Sequence, residues 1–181
     1  DTMMVFCCFG LPQSAGYSLD VDSETDIETG LTRYRVYAVL AQTGDRVIQI
    51  GGVGVSSLII TSTSFYQHPS GGAMASSITP EGLISEPNLL WDSWVTIGLD
   101  QVASLDGEID AMSEGSSVWS TLFELGENIY LVGGSNDGWS VAEEATNSFA
   151  GDDLRVLLGQ WTTDGYISGQ IEVSVIPFGT S

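Results

Sequence analysis

Acidic side chains occupy every second position of one short stretch, and this spacing is the most specific chemical pattern in the chain. The acidic residues are Asp20, Asp22, Glu24, Asp26 and Glu28. In an extended strand all five carboxylates would point to one face, roughly 6.6 Å apart, and would repel one another. Bound Ca²⁺, arginine partners or water would relieve this repulsion. The sequence therefore predicts an acidic face on which Asp20, Asp22, Glu24 and Asp26 are the candidate metal ligands.

Calcium is the only cofactor that the sequence suggests, and the pattern departs from the EF-hand loop. Alternate acids begin such a loop, but its sixth position here is Thr25 instead of Gly and its twelfth is Leu31 instead of Glu. Arg33 and Arg35 follow on the next stretch and are available to pair with the acids. A solvated or arginine-paired face is therefore the main expectation, and a divalent-ion site is the alternative.

Residues for nucleophilic catalysis are scarce. His68 is the only histidine, it precedes Pro69, and no G-x-S-x-G elbow is present. The chain contains no lysine, which excludes Schiff-base chemistry. Among 24 acidic residues, a carboxylate pair of the kind that glycosidases use carries no information. We therefore predict no catalytic residue and a protein that is not an enzyme.

Five tryptophans offer a different chemistry, because indole rings can stack on sugars. Packing in the core or at an interface is the main expectation, since aromatic side chains dominate both. A sugar-binding platform is the alternative, with glycans as partners. The five residues are Trp91, Trp94, Trp119, Trp139 and Trp161.

The N-terminal segment over residues 2–11 carries no charge, in contrast to the whole chain, whose net charge is −20. Its odd and even positions are both apolar, which predicts a strand buried on both faces. Such a strand lies either inside its own domain or inside a neighbouring copy, and the second choice would make the protein a polymer subunit. The predicted subunit-interface residues are Met3, Met4, Val5, Phe6, Cys7, Cys8, Phe9 and Leu11.

The two cysteines of this segment, Cys7 and Cys8, are adjacent, and neighbouring residues of a strand point to opposite faces. Packing as small apolar residues, a bridge to another subunit and a vicinal disulfide all remain open. The spacing excludes a zinc site, which requires separated ligand pairs.

Short strands separated by turn residues are predicted for the rest of the chain, and they indicate an all-β protein, a β-sandwich or jelly roll. We expect an N-terminal extension over residues 1–15 and a single β-sandwich domain over 16–181. The predicted strands cover 17–22, 31–41, 46–53, 57–62, 93–99, 128–132, 138–141, 154–161 and 170–176.

Three local features sharpen this prediction. Residues 142–149 form the one candidate helix, with Ser140 and Glu143 as a capping box. The Asp-Gly pair at 164–165 predicts a hairpin turn before the last strand. In that strand we expect three apolar residues to face the core and three polar ones to face water. The polar residues are Gln170, Glu172 and Ser174.

Charge and composition exclude several partners and favour one compartment. The only basic residues are four arginines, and a net charge of −20 repels nucleic acid and anionic membranes. No run of eighteen apolar residues exists, so we expect no membrane insertion. The acidic, lysine-free and β-rich composition favours an extracellular, secreted protein.

Three stretches resemble a pattern of secreted bacterial β-domains. They run D-S-W-V-T-I-G at 92–98, G-G-S-N-D-G-W at 133–139 and D-L-R-V-L-L-G-Q-W-T-T-D-G at 153–165. Together with 34–38 and 45–47, they make residues 31–176 similar to secreted all-β domains of unknown function from aquatic and marine bacteria. The resemblance implies an extracellular β-domain and no enzymatic activity, and it leaves out the apolar N-terminal segment.

These observations predict a structural subunit of an extracellular, cell-surface homopolymeric filament. The N-terminal strand of one copy would pack into the next copy, and the partner is thus the protein itself. Donor-strand pilins are similar in this logic but not in motif. The alternatives are a secreted carbohydrate-binding or glycan-active β-sandwich and a Ca²⁺-dependent adhesion module.

Overall fold

Two antiparallel sheets form the fold of this computed structural model, which describes residues 3–8, 16–116 and 118–179. Two short helices, α1 (Pro80–Ser85) and α2 (Trp119–Phe123), and 3₁₀ turns at Ala75–Ser77, Pro87–Trp91 and Thr146–Ser148 connect the strands. The strands are β1 Met3–Cys8, β2 Ser18–Thr25, β3 Thr32–Val39, β4 Arg46–Gly51, β5 Ser57–Thr61, β6 Trp94–Val95, β7 Met112–Glu114, β8 Ile129–Leu131, β9 Gly138–Ser140, β10 Arg155–Thr163 and β11 Ile167–Ile176.

The large sheet has the order β7-β9-β4-β11-β5-β8, with β1 also paired to β11, and the small sheet has the order β2-β3-β10-β6. Apolar side chains from both sheets share one core, including Val36 of β3, Leu158 of β10, Ile59 of β5 and Val173 of β11. This arrangement confirms the predicted all-β sandwich. Trp94, Trp139 and Trp161 are fully buried and Trp119 nearly so.

Strand β11 organises the large sheet because strands flank it on both edges. Strands β4 and β5 lie end to end along one edge, with Ile50 opposite Val173 and Leu58 opposite Gln170. Strand β1 pairs with the same two residues of β11, Val173 and Gln170, and must therefore occupy the other edge. The N-terminal strand thus completes a sheet edge of its own chain in this structure.

A second, smaller apolar cluster covers part of the outer face of the small sheet. Residues of the 75–91 segment, among them Ile78 and Leu89, pack there against Trp94 and Leu157. Tyr37 of β3 is half-buried against this cluster. The 75–91 segment therefore covers part of the outer face of β3 and β10.

The predicted hairpin at 164–165 is wrong. Strand β10, before the turn, belongs to the small sheet, whereas β11, after it, belongs to the large sheet. Three threonine hydroxyls hold the crossing point, because Thr163 Oγ1 lies 2.8 Å from both Thr61 Oγ1 and Thr63 Oγ1. The chain passes from one sheet to the other there instead of folding back on itself.

The helix predicted over 142–149 is also wrong. The structure has a turn there and only a 3₁₀ turn at Thr146–Ser148. The hydroxyl of Ser140 donates to Glu114 Oε1 of β7 at 2.5 Å and caps no helix. Helix α1 was not predicted, although Thr79 and Pro80 are a typical helix start: Thr79 Oγ1 accepts a hydrogen bond from the N–H of Gly82 at 3.0 Å.

The polar face expected for the last strand is not open to water. The side chains of Glu172 and Ser174 are only 1% and 3% exposed, and Gln170 is half-buried. The connection between β4 and β5 folds over this face, and Gln170 Nε2 donates to the carbonyl oxygen of Ser56 at 2.8 Å. A non-local loop has replaced water as the partner of these residues.

Candidate functional site

The predicted subunit-interface segment forms β1, and its backbone pairs in register with β11. Met3, Met4, Val5, Phe6, Cys7 and Cys8 lie opposite Val175, Ser174, Val173, Glu172, Ile171 and Gln170, respectively. Phe9 and Leu11 lie outside the described residues. Among the described strands β1 pairs with β11 alone. The contact between β1 and β11, called the β1–β11 junction below, is therefore a single strand added to a sheet edge.

A buried carboxylate fixes β11 beneath this junction. Glu172 accepts hydrogen bonds from the backbone N–H groups of Gly54, at 2.9 and 3.0 Å to its two oxygens, and of Val55, at 3.0 Å. The backbone N–H of Glu172 donates to Ser57 Oγ at 2.8 Å, and that hydroxyl donates to the Gly51 carbonyl oxygen at 2.9 Å. These hydrogen bonds tie β11 to the β4–β5 side of the sheet, and β1 takes no part in them.

Three residues of the predicted acidic face, Asp20, Asp22 and Glu24, form ion pairs with arginines, but only one of these arginines was predicted. Arg155 of β10 lies 3.5 Å from Asp20 and 2.7 Å from Asp22, and Arg33 pairs with Glu24. Arg35 was the wrong candidate, since it lies 3.3 Å from the carboxylate of Asp100 instead. Nothing local in the sequence indicates Arg155, because β10 reaches β2 only across β3.

Asp26 departs from the acidic face because β2 ends at Thr25. Its carboxylate accepts hydrogen bonds from Thr29 Oγ1 at 2.7 Å and from the N–H of Glu28 at 2.9 Å, which lower its pKa. In the described ranges no group of three or more His, Cys, Asp or Glu side chains is close enough to hold a metal ion. The calcium site stays a prediction, and the structure brings together Asp20 and Asp22 but not Asp26.

A polar groove of about 560 Å³, which the sequence did not predict, lies on the outer face of the small sheet. Arg35 and Tyr37 of β3 and Arg155 of β10 form its floor, and Asp100 and Asp153 stand at its sides. The guanidinium of Arg155 lies 3.7 Å from the centre of the Tyr37 ring. These residues are distant in sequence, so only the sheet brings them together.

The single histidine holds a loop. Its Nδ1 accepts a hydrogen bond from the N–H of Ser70 at 3.2 Å, and its Nε2 lies 3.5 Å from Glu86. The Ser70 hydroxyl donates to Glu86 at 2.8 Å instead of to His68. A serine–histidine nucleophile is therefore not formed there.

Asp92 lies beneath this loop as a fully buried carboxylate. It accepts hydrogen bonds from the N–H groups of His68 at 2.7 Å and Gly72 at 3.2 Å. Burial nevertheless raises the pKa of Asp92 to about 6. A Cβ on Gly71 would lie 1.9 Å from the carboxylate, so only glycine fits beside it.

Comparisons with protein-family models, with curated proteins and with solved structures find no match for this chain. The resemblance to secreted bacterial domains therefore stays a prediction. The helices of the described residues are all too short or too polar to cross a membrane.

Proposed function

We propose that the protein is a structural, non-enzymatic subunit of an extracellular homopolymeric filament, in which β1 of one copy pairs with β11 of the next. The observation that carries this proposal is the attachment of β1. It is an apolar strand that pairs, among the described strands, only with the outer edge of β11. An edge of this kind accepts any strand of matching sequence, whichever chain supplies it.

The opposite edge of β11 supports the same proposal. Strands β4 and β5 and the buried Glu172 hold β11 from that side, so the edge that β1 occupies is a template for one strand, from the same chain or from another. The β1 of a second copy would form the same register and the same backbone hydrogen bonds. When every copy passes its strand to the next, the contact is head-to-tail and does not close, and a fibre results.

A cross-strand disulfide distinguishes exchange between chains from pairing within one chain. Cys8 lies opposite Gln170, and register partners in antiparallel strands have Cα atoms about 4.5–5.5 Å apart, within the range of a disulfide. The variant Cys7→Ser/Gln170→Cys therefore forms one bond across this pair on oxidation. If strands are exchanged, oxidised fibres give a ladder of covalent multimers on a non-reducing denaturing gel.

The matched control is Cys7→Ser/Ser168→Cys. Ser168 lies on the same face of β11 but opposite Ile60, about 8 Å from Cys8, too far for a disulfide. It should give no ladder. Fibres whose oxidised chains run as monomers with an internal bridge would refute strand exchange, and a chain that forms no fibres under any salt condition would refute the filament itself.

A further inference from the structure

The polar groove on the small sheet lies on the layer of the sandwich that strand exchange does not use. Its floor is formed by β3 and β10, whereas β1 and β11 belong to the large sheet. All its lining residues come from a single chain. Its volume, about 560 Å³, is within the ~300–1,000 Å³ typical of small-molecule sites.

The two guanidinium groups of the floor are held in fixed orientations. Arg35 donates through Nε to Gln160 Oε1 at 3.0 Å and through Nη1 to Asp100 at 3.3 Å. Arg155 stacks on Tyr37 and donates to Asp22 at 2.7 Å. Each guanidinium has five N–H donors, so both retain donors beyond these bonds. The floor therefore presents planar hydrogen-bond donors whose orientation is already set.

The rim of the groove, formed by Ser104, Leu105, Glu108 and Asp153, supplies hydrogen-bond acceptors whose positions are also fixed. Glu108 accepts hydrogen bonds from the N–H groups of Ser104 and Leu105 at 2.9 and 2.8 Å, both through Oε2. These bonds lower its pKa, so it is ionised at neutral pH. Asp153 Oδ1 accepts a hydrogen bond from the N–H of Arg155 at 3.1 Å. Within the described part of the chain, Glu108 Oε1 and Asp153 Oδ2 accept no hydrogen bond, so one oxygen of each carboxylate is available for a ligand.

The charge of the lining decides which class of ligand fits. Three carboxylates, from Asp100, Glu108 and Asp153, outnumber the guanidinium groups of Arg35 and Arg155. Such a site does not favour phosphate, sulfate or uronate groups, which carry further negative charge. A neutral polyol suits it, because each hydroxyl can donate to a carboxylate and accept from a guanidinium.

Apolar side chains beside these groups offer contacts for the carbon atoms of a sugar ring. Leu157 and Phe149 line the groove, and Leu105 on the rim is 71% exposed. The geometry points to a binding site for a short neutral saccharide in this groove. Its hydroxyls would donate to Asp100, Glu108 and Asp153 and accept from Arg35 and Arg155. In a filament the site would repeat on every subunit, and the repetition would raise the avidity for a glycan surface.

The test measures binding of the full-length protein to neutral oligosaccharides of glucose, galactose, mannose and N-acetylglucosamine, with heparin and polygalacturonate as anionic probes. Dispersed chains and fibres are assayed separately, because the groove lies within one chain and its occupancy does not require assembly. We expect at least one neutral oligosaccharide to bind and both anionic polymers to fail. Absence of neutral binding, or a preference for the anionic polymers, would overturn the proposal.

Two variants connect that binding to the groove. Asp100→Asn/Asp153→Asn removes the negative charge of two acceptors and should weaken binding by about tenfold or more. Ser104→Trp fills the groove from its rim and should abolish binding, while far-ultraviolet circular dichroism confirms the fold. Asp106→Asn, on the same loop but outside the lining, is the matched control and should bind like the parent. Binding that survives Ser104→Trp would place the saccharide elsewhere and overturn the assignment.

Discussion

Asp92 should give the folding stability a pH dependence that can be separated from that of the other acids. Its side chain is fully buried, and burial raises its pKa from an ordinary value of 3.8 to about 6. The folded protein therefore binds this proton more tightly than the unfolded chain does. The contribution of Asp92 to stability is highest below pH 3.8, falls as the pH rises toward 6, and stays low at neutral pH.

The size of this effect follows from the window between the two pKa values. Each pH unit in it corresponds to about 1.36 kcal/mol, so the whole window amounts to about 3 kcal/mol. Lowering the pH from 7 to 5 crosses about one unit of it and should recover about 1 kcal/mol in the free energy of unfolding. A change of this size is measurable by urea denaturation.

The assay compares the parent with Asp92→Asn at pH 7, 6 and 5. Asparagine cannot ionise, and its amide facing the N–H of Gly72 imposes a cost that does not vary with pH. The parent should therefore gain about 1 kcal/mol in the free energy of unfolding relative to the variant on acidification. Asp164→Asn, at an exposed position, should follow the parent throughout.

Two outcomes would refute this reasoning. A constant difference between parent and Asp92→Asn would show that Asp92 does not titrate between pH 5 and 7. A parent that loses stability relative to the variant only when the pH is lowered further, toward 3, would show that the N–H donors of His68 and Gly72 outweigh burial and hold the carboxylate ionised.

Two further predictions concern charge. The double variant Asp22→Asn/Glu24→Gln should lower the free energy of unfolding by less than about 1 kcal/mol per ion pair, because both pairs are exposed. The decrease should be the same with and without EDTA. A large loss of stability that EDTA reproduces in the parent would establish a divalent-ion site instead. Fibres should sediment more completely as the sodium chloride concentration rises from about 0.01 to about 0.15 M. The screening length then falls from about 30 to about 8 Å, so repulsion between copies weakens. Fibres that dissolve with added salt would show that ion pairs hold the contact between copies.

Local alternation was enough to predict the class of fold and the core face of the last strand. Ile171, Val173 and Val175 of β11 lie in the core, as their alternation with polar residues predicted. This prediction holds because it depends only on which face of a strand meets the other sheet. The same period of two is seen in β3, where Val36 and Ala38 face the core and Arg35 and Tyr37 face outward.

The errors arose where a partner lies far away in sequence. Glu172 was expected in water, but its carboxylate meets the N–H groups of Gly54 and Val55, 118 and 117 residues away. Arg155 meets Asp22 across 133 residues. A pattern within one strand contains no information about such partners. The groove was missed for the same reason, whereas the apolar β1 was found because its signal is contained in one short segment.

The four arginines bear on the proposed filament, because all of them already have partners within their own chain. Each of the four lies over an aromatic ring and pairs with an acid of its own chain: Arg33 with Trp91 and Glu24, Arg35 with Trp94 and Asp100, Arg46 with Phe149 and Glu143, and Arg155 with Tyr37 and Asp22. The chain has no lysine to replace them at a junction. In the proposed filament, two copies of net charge −20 would meet with acids in excess on both sides, and backbone pairing along β11 would have to overcome that repulsion.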